Sequence, residues 1–247
     1  MLCFFTEKAV AQSKFVQWAE NPLGFYPVGL EGGTGFAWGI SAVAATFLLG
    51  EIFSKKDTLT KYRLSFFNEP GVTVGYDNRK GIITGIDNLG VQYRVLRWMA
   101  VGGEVYTYMY QGPLNNTAGF GARPFARWYV VHKNSWDLFF EYGAGIIWNL
   151  AEFPITTDPN NRGTHFNFTP KYSLGAEFRL QEKLFFEIGI RHVHVSNGYI
   201  FGFNRNPAYD SDGAFVAIKF DSKFPTLDKL FAESKIAFHH KRHKKAK

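Results

Sequence analysis

Long stretches of apolar–polar alternation constrain the fold of this chain more than any other feature. Between Trp136 and Leu150 every even position is apolar, while the odd positions include Asp137 and Glu141. A period of two places the apolar side chains on one face of a β-strand. The pattern recurs over residues 166–180. Strands of soluble sheets are typically about five or six residues long, so these longer segments favour tilted strands that cross a bilayer.

The connections between these segments alternate in length. Short connections such as HKNS (132–135) and LQEK (180–183) alternate with long ones such as AEFPITTDPNNRGTH (151–165). Tight turns at one end and long loops at the other are typical of bacterial outer-membrane barrels, and an even strand count closes the sheet without edges. We therefore predict an all-β fold, an eight-stranded antiparallel transmembrane β-barrel over residues 61–221. Its strands are predicted at 62–76, 86–97, 98–110, 118–133, 135–150, 166–180, 183–196 and 211–221.

Composition agrees with this prediction. Aromatic residues make up 18% of the chain and glycines number 25, which suits pleated sheet, although a soluble β-sandwich shares these traits. The single cysteine, Cys3, excludes an intramolecular disulfide. Eight strands leave an interior that side chains fill, so charged residues on the polar faces are expected to form a packed ion-pair network and no wide pore. These residues are Arg94, Arg123, Arg127, Glu141, Glu177, Glu187 and Arg191.

Two segments flank the predicted barrel. Residues 1–60 form an N-terminal extension, in which the uncharged stretch 35–50 suits either a signal-peptide core or a packed segment. Residues 222–247 form a basic tail, which is either a solvated charge run or a contact with anionic lipid headgroups. Its histidines, His239, His240 and His243, lack the cysteine or carboxylate spacing of a metal site. We locate no basic patch on a folded face, so the sequence does not predict a nucleic-acid partner.

The seventh segment carries unexpected polar side chains. In RHVHVSN (191–197) the even positions His194 and Ser196 continue an outward row that begins with Leu184. An unpaired polar group in hydrocarbon is costly, so these two residues need partners or a function. In the eighth segment Asp210 and Asp212 share the parity of its apolar residues, so a carboxylate from the adjoining strand can reach His194 from the same side.

Strand direction places these residues near the outer leaflet, because the first strand starts and the last strand ends in the periplasm, so that the seventh strand runs outward. The lipid of that leaflet is lipopolysaccharide, whose lipid A anchor carries ester-linked acyl chains. A serine nucleophile, a histidine base and an orienting acid make up the machinery of acyl transfer. The alternative is a non-catalytic structural barrel, in which His194 and Ser196 lie at the level of the lipid headgroups and have no catalytic role.

A longer sequence match helps to choose between the catalytic and the non-catalytic interpretation. HVSN (194–197) followed by NPAYDS (206–211) resembles the lipid A 3-O-deacylase family (PagL-type, acyloxyacyl hydrolase-like), a family of eight-stranded outer-membrane barrels. The resemblance implies a serine esterase that acts on lipid A in the bacterial outer membrane without a cofactor or metal. It leaves open whether the protein forms a homodimer. It also implies site residues: His194 as general base, Ser196 as nucleophile, Asp210 as acid, Asn197 and Gly198 at the oxyanion site, and Asn206 in the loop that positions the acid.

The match departs from the family pattern near the acid. Ala208 stands where a glycine is expected, the acid is aspartate where glutamate is familiar, and the spacing from serine to acid is longer, so Asp212 remains an alternative to Asp210. His192 either supports the site or packs. Outer-membrane phospholipase A also shows H-x-S-N-G and pairs its histidine with an asparagine, for which Asn204 or Asn206 would serve. That family needs about twelve strands, against the eight counted here.

Overall fold

The computed structural model describes residues 63–75, 81–158, 160–198, 200–201 and 205–222, together with the separate positions 41, 44, 45 and 48. The predictions for the rest of the N-terminal extension, for the basic tail and for Asn204 lie outside the described residues. Within the described part of the chain, no helix is long and apolar enough to cross a membrane.

Eight antiparallel strands close into a barrel, in which each strand pairs with its sequence neighbours and β1 pairs with β8. The predicted fold class and strand count are confirmed. A phospholipase-type barrel of about twelve strands does not fit this closure. The strands are β1 (Arg63–Gly75), β2 (Ile83–Leu96), β3 (Met99–Gln111), β4 (Thr117–His132), β5 (Trp136–Phe153), β6 (Thr164–Gln181), β7 (Leu184–Val195) and β8 (Tyr209–Ser222).

Several strands are longer than predicted at the end of the barrel that carries the long loops. β2 begins at Ile83 instead of residue 86, and β5 ends at Phe153 instead of residue 150. At these ends the backbone pairing continues, as between Thr84 and Tyr110, although the alternation of apolar and polar residues fades. Hydrophobic alternation therefore marks the part of each strand that faces lipid, and the hydrogen-bonded ladder extends beyond it.

The connections differ in length as predicted. Residues 97–98, 133–135 and 182–183 make tight turns at one end, whereas the segments after β1, β3, β5 and β7 at the other end are longer. Because the tight turns of outer-membrane barrels are periplasmic, the end with long connections faces outward. β7 runs from a tight turn toward that outer end.

The interior of the barrel is filled by paired charges. Lys171 Nζ lies 3.0 Å from Glu104 Oε1 and 2.9 Å from Glu141 Oε1, and Arg127 bridges Glu141 and Glu187 at 2.8 and 2.7 Å. All five side chains are buried, and buried charges are tolerated only when paired in this way. The predicted ion-pair network is thus present. It also includes charged residues that the sequence analysis had not assigned to it, namely Glu69, Glu104, Asp137, Lys171 and Lys219.

Candidate active site

The outward face of β7 changes from apolar to polar along the strand. Ile188 is 47% exposed on the outer wall, while Glu187 and Arg191, at the opposite parity, are buried in the interior. His194 and Ser196 continue the row of Ile188 toward the outer end, as the alternation predicted. Their side chains therefore lie on the wall of the barrel and not among the interior arginines.

These polar residues are nevertheless covered, which the sequence analysis did not anticipate. His192, His194 and Ser196 are only 2%, 4% and 2% exposed. The ring of Tyr172 on β6 stacks on His192 with centroids 4.8 Å apart and planes 10° from parallel. Beyond the end of β7, Ser196 pairs with Phe168 through two backbone hydrogen bonds of 2.6 and 3.2 Å. β6 therefore shelters the outer end of β7, and the site is a protected recess in the barrel wall.

Three predicted site residues meet in this recess. His194 Nε2 lies 2.8 Å from Ser196 Oγ, and His194 Nδ1 lies 2.7 Å from Asp210 Oδ1. The register of β7 and β8 pairs His194 directly with Asp210, so both side chains project from the same face. With its proton on Nδ1, the imidazole donates to the carboxylate and accepts from the serine hydroxyl. This is the arrangement of nucleophile, base and orienting acid used in acyl transfer.

The alternative acid occupies the adjacent position. Asp212 pairs with His192 in the β7–β8 register, and its Oδ1 lies 2.8 Å from His192 Nδ1. His192 Nε2 also lies 3.4 Å from Asp210 Oδ1. The structure therefore places Asp210, and not Asp212, beside His194, and it connects His192 to both carboxylates.

The segment after the serine is held in place by hydrogen bonds of Asn197. The backbone N–H of Asn197 donates to Asn206 Oδ1 at 2.8 Å, and the Asn197 side chain donates to the backbone carbonyl of Arg205 and to Thr164 Oγ1. In this structure the Asn197 N–H thus already has an acceptor, and a role of Asn197 at the oxyanion site stays a prediction. Asn206 thus holds the turn after the serine, and it lies in the segment that leads to Asp210.

Gly198 is the remaining backbone candidate for that role. Its φ of +62° lies in the left-handed region that favours glycine. Among the residues that the structure describes, none accepts a hydrogen bond from its N–H. Gly198 follows directly after the turn that Asn197 and Asn206 fix.

Sequence reasoning missed Tyr172, Thr164 and Arg205. The first had only a partial signal, because counting back from the tight turn 182–183 places residue 173 opposite His192, and the irregularity between Arg179 and Gln181 moves Tyr172 into that position. The other two had none, since they contact Asn197 across longer connections. Within the described residues, no group of three or more His, Cys, Asp or Glu side chains is placed to hold a metal ion.

The wall below the recess is apolar. Leu174 on β6, Ile188 on β7 and Val216 on β8 point outward and are 42%, 47% and 42% exposed. These three strands are adjacent, so their outward residues form a continuous hydrophobic surface that ends at the recess. A lipid acyl chain lying against this surface would bring its polar end toward Ser196.

The fold is that of an outer-membrane β-barrel, and a serine, a histidine and a carboxylate joined by hydrogen bonds lie on the outer face of its wall. A family model described as lipid A 3-O-deacylase (PagL) matches residues 87–219, which is more than half of the chain. The chain therefore belongs to the lipid A 3-O-deacylase (PagL) family. It is an integral β-barrel of the bacterial outer membrane and a lipid A deacylase.

Solved structures with a similar fold are distant in sequence. The outer membrane enzyme PagL is 14% identical, with 63% of this chain and 98% of that chain covered and a TM-score of 0.47. Neisserial surface protein A (NspA) is 8% identical, with 64% and 96% covered and a TM-score of 0.49. OprG from Pseudomonas aeruginosa is 11% identical, with 65% and 97% covered and a TM-score of 0.38. No curated protein matches the chain. The family assignment therefore rests on the family model.

Proposed function

We propose that this protein hydrolyses the 3-O-linked acyl ester of lipid A through a triad of Ser196, His194 and Asp210. The observation that supports this most is the unbroken path of hydrogen bonds from the serine hydroxyl through the imidazole to the carboxylate, 2.8 and 2.7 Å long. It lies on the lipid-facing wall, where an ester of a membrane lipid can reach it.

In the first half of the reaction, Ser196 Oγ attacks the ester carbonyl carbon while His194 Nε2 takes the hydroxyl proton. The carbonyl oxygen becomes an oxyanion, which accepts a hydrogen bond from the backbone N–H of Gly198. The intermediate collapses, the bond from carbon to the sugar oxygen breaks, and His194 returns the proton to the departing sugar hydroxyl. The acyl chain is then esterified to Ser196.

In the second half, water replaces the sugar hydroxyl. His194 removes a proton from the water as it attacks the acyl carbon, and the same proton returns to Ser196 Oγ when the carbon–serine bond breaks. The products are a free fatty acid and lipid A that has lost one acyl chain. The proposed reaction needs no metal or cofactor.

Asp210 orients the base. Its carboxylate accepts the Nδ1 proton of His194, which leaves Nε2 free to take the serine proton and stabilises the imidazolium that then forms. The contribution of a correctly aimed oxyanion donor is about 3–4 kcal/mol in comparable enzymes. The bond between Asn206 and the Asn197 N–H supports the proposed oxyanion site indirectly, because it fixes the backbone that carries Gly198.

We assign this function to residues 61–221 as the catalytic barrel, with residues 1–60 as an N-terminal extension and 222–247 as a basic tail. All groups proposed to act in the reaction belong to β7, β8 and the segment between them. The proposed reaction is therefore complete within one chain, and a homodimer is not required.

The test compares two lipids and two proteins. Purified wild-type protein and Ser196→Ala are incubated separately with lipopolysaccharide and with phospholipid vesicles, and the lipids are analysed by mass spectrometry. We expect the wild type to remove one 3-O-linked acyl chain from lipid A and to leave phospholipid intact, with EDTA having no effect. Ser196→Ala is expected to lose at least 1,000-fold in rate. Full activity of Ser196→Ala, or cleavage of phospholipid alone, would contradict the proposal.

A further inference from the structure

We propose that His192 and Asp212 form a second histidine–carboxylate pair that positions Asp210 for catalysis. This inference rests on the proposed function, because it concerns how the acid of that triad is held. His192 is a positioning residue here, since it acts through its contact with Asp210.

The two pairs lie on consecutive outward positions of the β7–β8 ladder. His194 faces Asp210 on one rung and His192 faces Asp212 two residues along, so all four side chains share one face. His192 Nδ1 lies 2.8 Å from Asp212 Oδ1, and its Nε2 lies 3.4 Å from Asp210 Oδ1. The second pair is thus joined to the first through one oxygen of Asp210.

That oxygen is the one that holds the catalytic histidine. Asp210 Oδ1 lies 2.7 Å from His194 Nδ1 and 3.4 Å from His192 Nε2. The Asp210 side chain is 27% exposed, whereas the His192 side chain is only 2% exposed. A carboxylate at an exposed edge can rotate toward water, so a contact from a buried ring restricts it to the orientation that His194 needs.

The face of the His192 ring is held by aromatic stacking. Tyr172 stacks on it at 4.8 Å, and Tyr142 stacks on Tyr172 in turn, with centroids 6.1 Å apart and planes 17° from parallel. The aromatic column spans β5, β6 and β7. His192 therefore has a defined orientation before substrate binds.

The pair also balances charge. A ring whose two nitrogens both face carboxylate oxygens donates to both only as an imidazolium. The cation then lies between Asp210 and Asp212, which would otherwise place two negative charges on neighbouring positions of one strand face. With His194 neutral, the four groups carry one net negative charge, which is neutralised when His194 takes the serine proton.

The first test removes the nitrogens of His192 and keeps the ring. His192→Phe preserves an aromatic surface for Tyr172 but cannot donate to either carboxylate. We expect kcat for lipid A deacylation to fall about tenfold with KM unchanged, because substrate binding does not involve this residue. His192→Gln carries an amide that can reach Asp210, and it is expected to recover part of the lost rate.

A matched control uses another histidine that stacks on an aromatic ring. His165 packs on Trp148 with centroids 5.7 Å apart and lies outside the network, so His165→Phe is expected to keep kcat within twofold of the wild type. Asp212→Asn tests the far end of the pair without changing ring packing. It is expected to lower kcat about threefold to tenfold, again with KM unchanged.

The outcomes separate this inference from the proposed function. If Ser196→Ala retains activity, the proposed triad is wrong and His192 has no role in it. If Ser196→Ala is inactive while folded His192→Phe keeps kcat within twofold of the wild type, only the role of His192 is overturned. A rise in KM at unchanged kcat would also overturn it. Should His192→Phe fail to fold, an unchanged kcat in folded Asp212→Asn would contradict the inference.

Discussion

At the scale of single residues, the site depends on which aspartate of β8 faces His194, and the strand register gives that position to Asp210. Period-two alternation was sufficient to put His194, Ser196 and two aspartates on one face. The choice between Asp210 and Asp212 depends on the register of β7 against β8, and a long connection joins these strands. A shift of two residues would exchange the partners without changing either strand's face, so hydrophobic pattern carries no information about it.

A substitution at the acid tests the observed register. Asp210→Asn replaces a carboxylate that accepts the Nδ1 proton with an amide whose NH₂ can face it, which favours the wrong tautomer of His194. We expect kcat to fall by about 1,000-fold or more, as for the equivalent change in serine proteases. Steady-state deacylation of lipid A measures it. A loss much smaller than that of Asp212→Asn would show that Asp212 is the acid.

At the scale of elements, the segment between β7 and β8 departs most from what sequence reasoning predicted. The order of residues suggested that the N–H of Asn197 is free for an oxyanion. In the structure Asn206, nine positions later, accepts that N–H at 2.8 Å. The same segment reaches β5, because the Arg205 guanidinium lies 2.7 Å from Glu152 Oε1. Contacts between loops follow from their three-dimensional path, which local patterns do not determine.

The loop contact leads to a second prediction. Asn206→Ala leaves the N–H of Asn197 without its acceptor, which costs about 1–3 kcal/mol in a buried setting and releases the turn that carries Gly198. We expect kcat to fall about tenfold while the barrel remains folded by circular dichroism. Asn206→Asp retains an oxygen acceptor and is the matched control, expected to keep most of the activity. Equal losses in both variants would argue against a role for this hydrogen bond.

At the scale of the whole molecule, the closed barrel and its outward and inward faces followed from the sequence, because an alternation of apolar and polar residues recurs along the chain. The sequence predicted an ion-pair network in the interior but not all of the residues that form it. Lys171 follows Pro170 in β6 and contacts three glutamates, Glu69, Glu104 and Glu141, which come from three other strands. Only closure of the sheet brings those strands together around one cation.

A third prediction concerns stability. Lys171→Met removes the cation that the three buried glutamates share, and breaking a buried pair in this way costs about 3–5 kcal/mol. We expect the urea midpoint of unfolding to fall clearly relative to the wild type, with the folded fraction still active. Lys183→Met, at an exposed turn position, is the control and is expected to leave the midpoint unchanged. An unchanged midpoint for Lys171→Met would contradict the structural role of the network.

The measurement that tests the central claim most directly is the location of the acyl group during turnover. Protein mixed with lipopolysaccharide is quenched in acid, digested and analysed by mass spectrometry for acylated peptides. The account predicts a fatty acyl group on Ser196, present in the wild type and absent in Ser196→Ala. An acyl group on a different residue, or lipid A deacylation by Ser196→Ala at the wild-type rate, would contradict it.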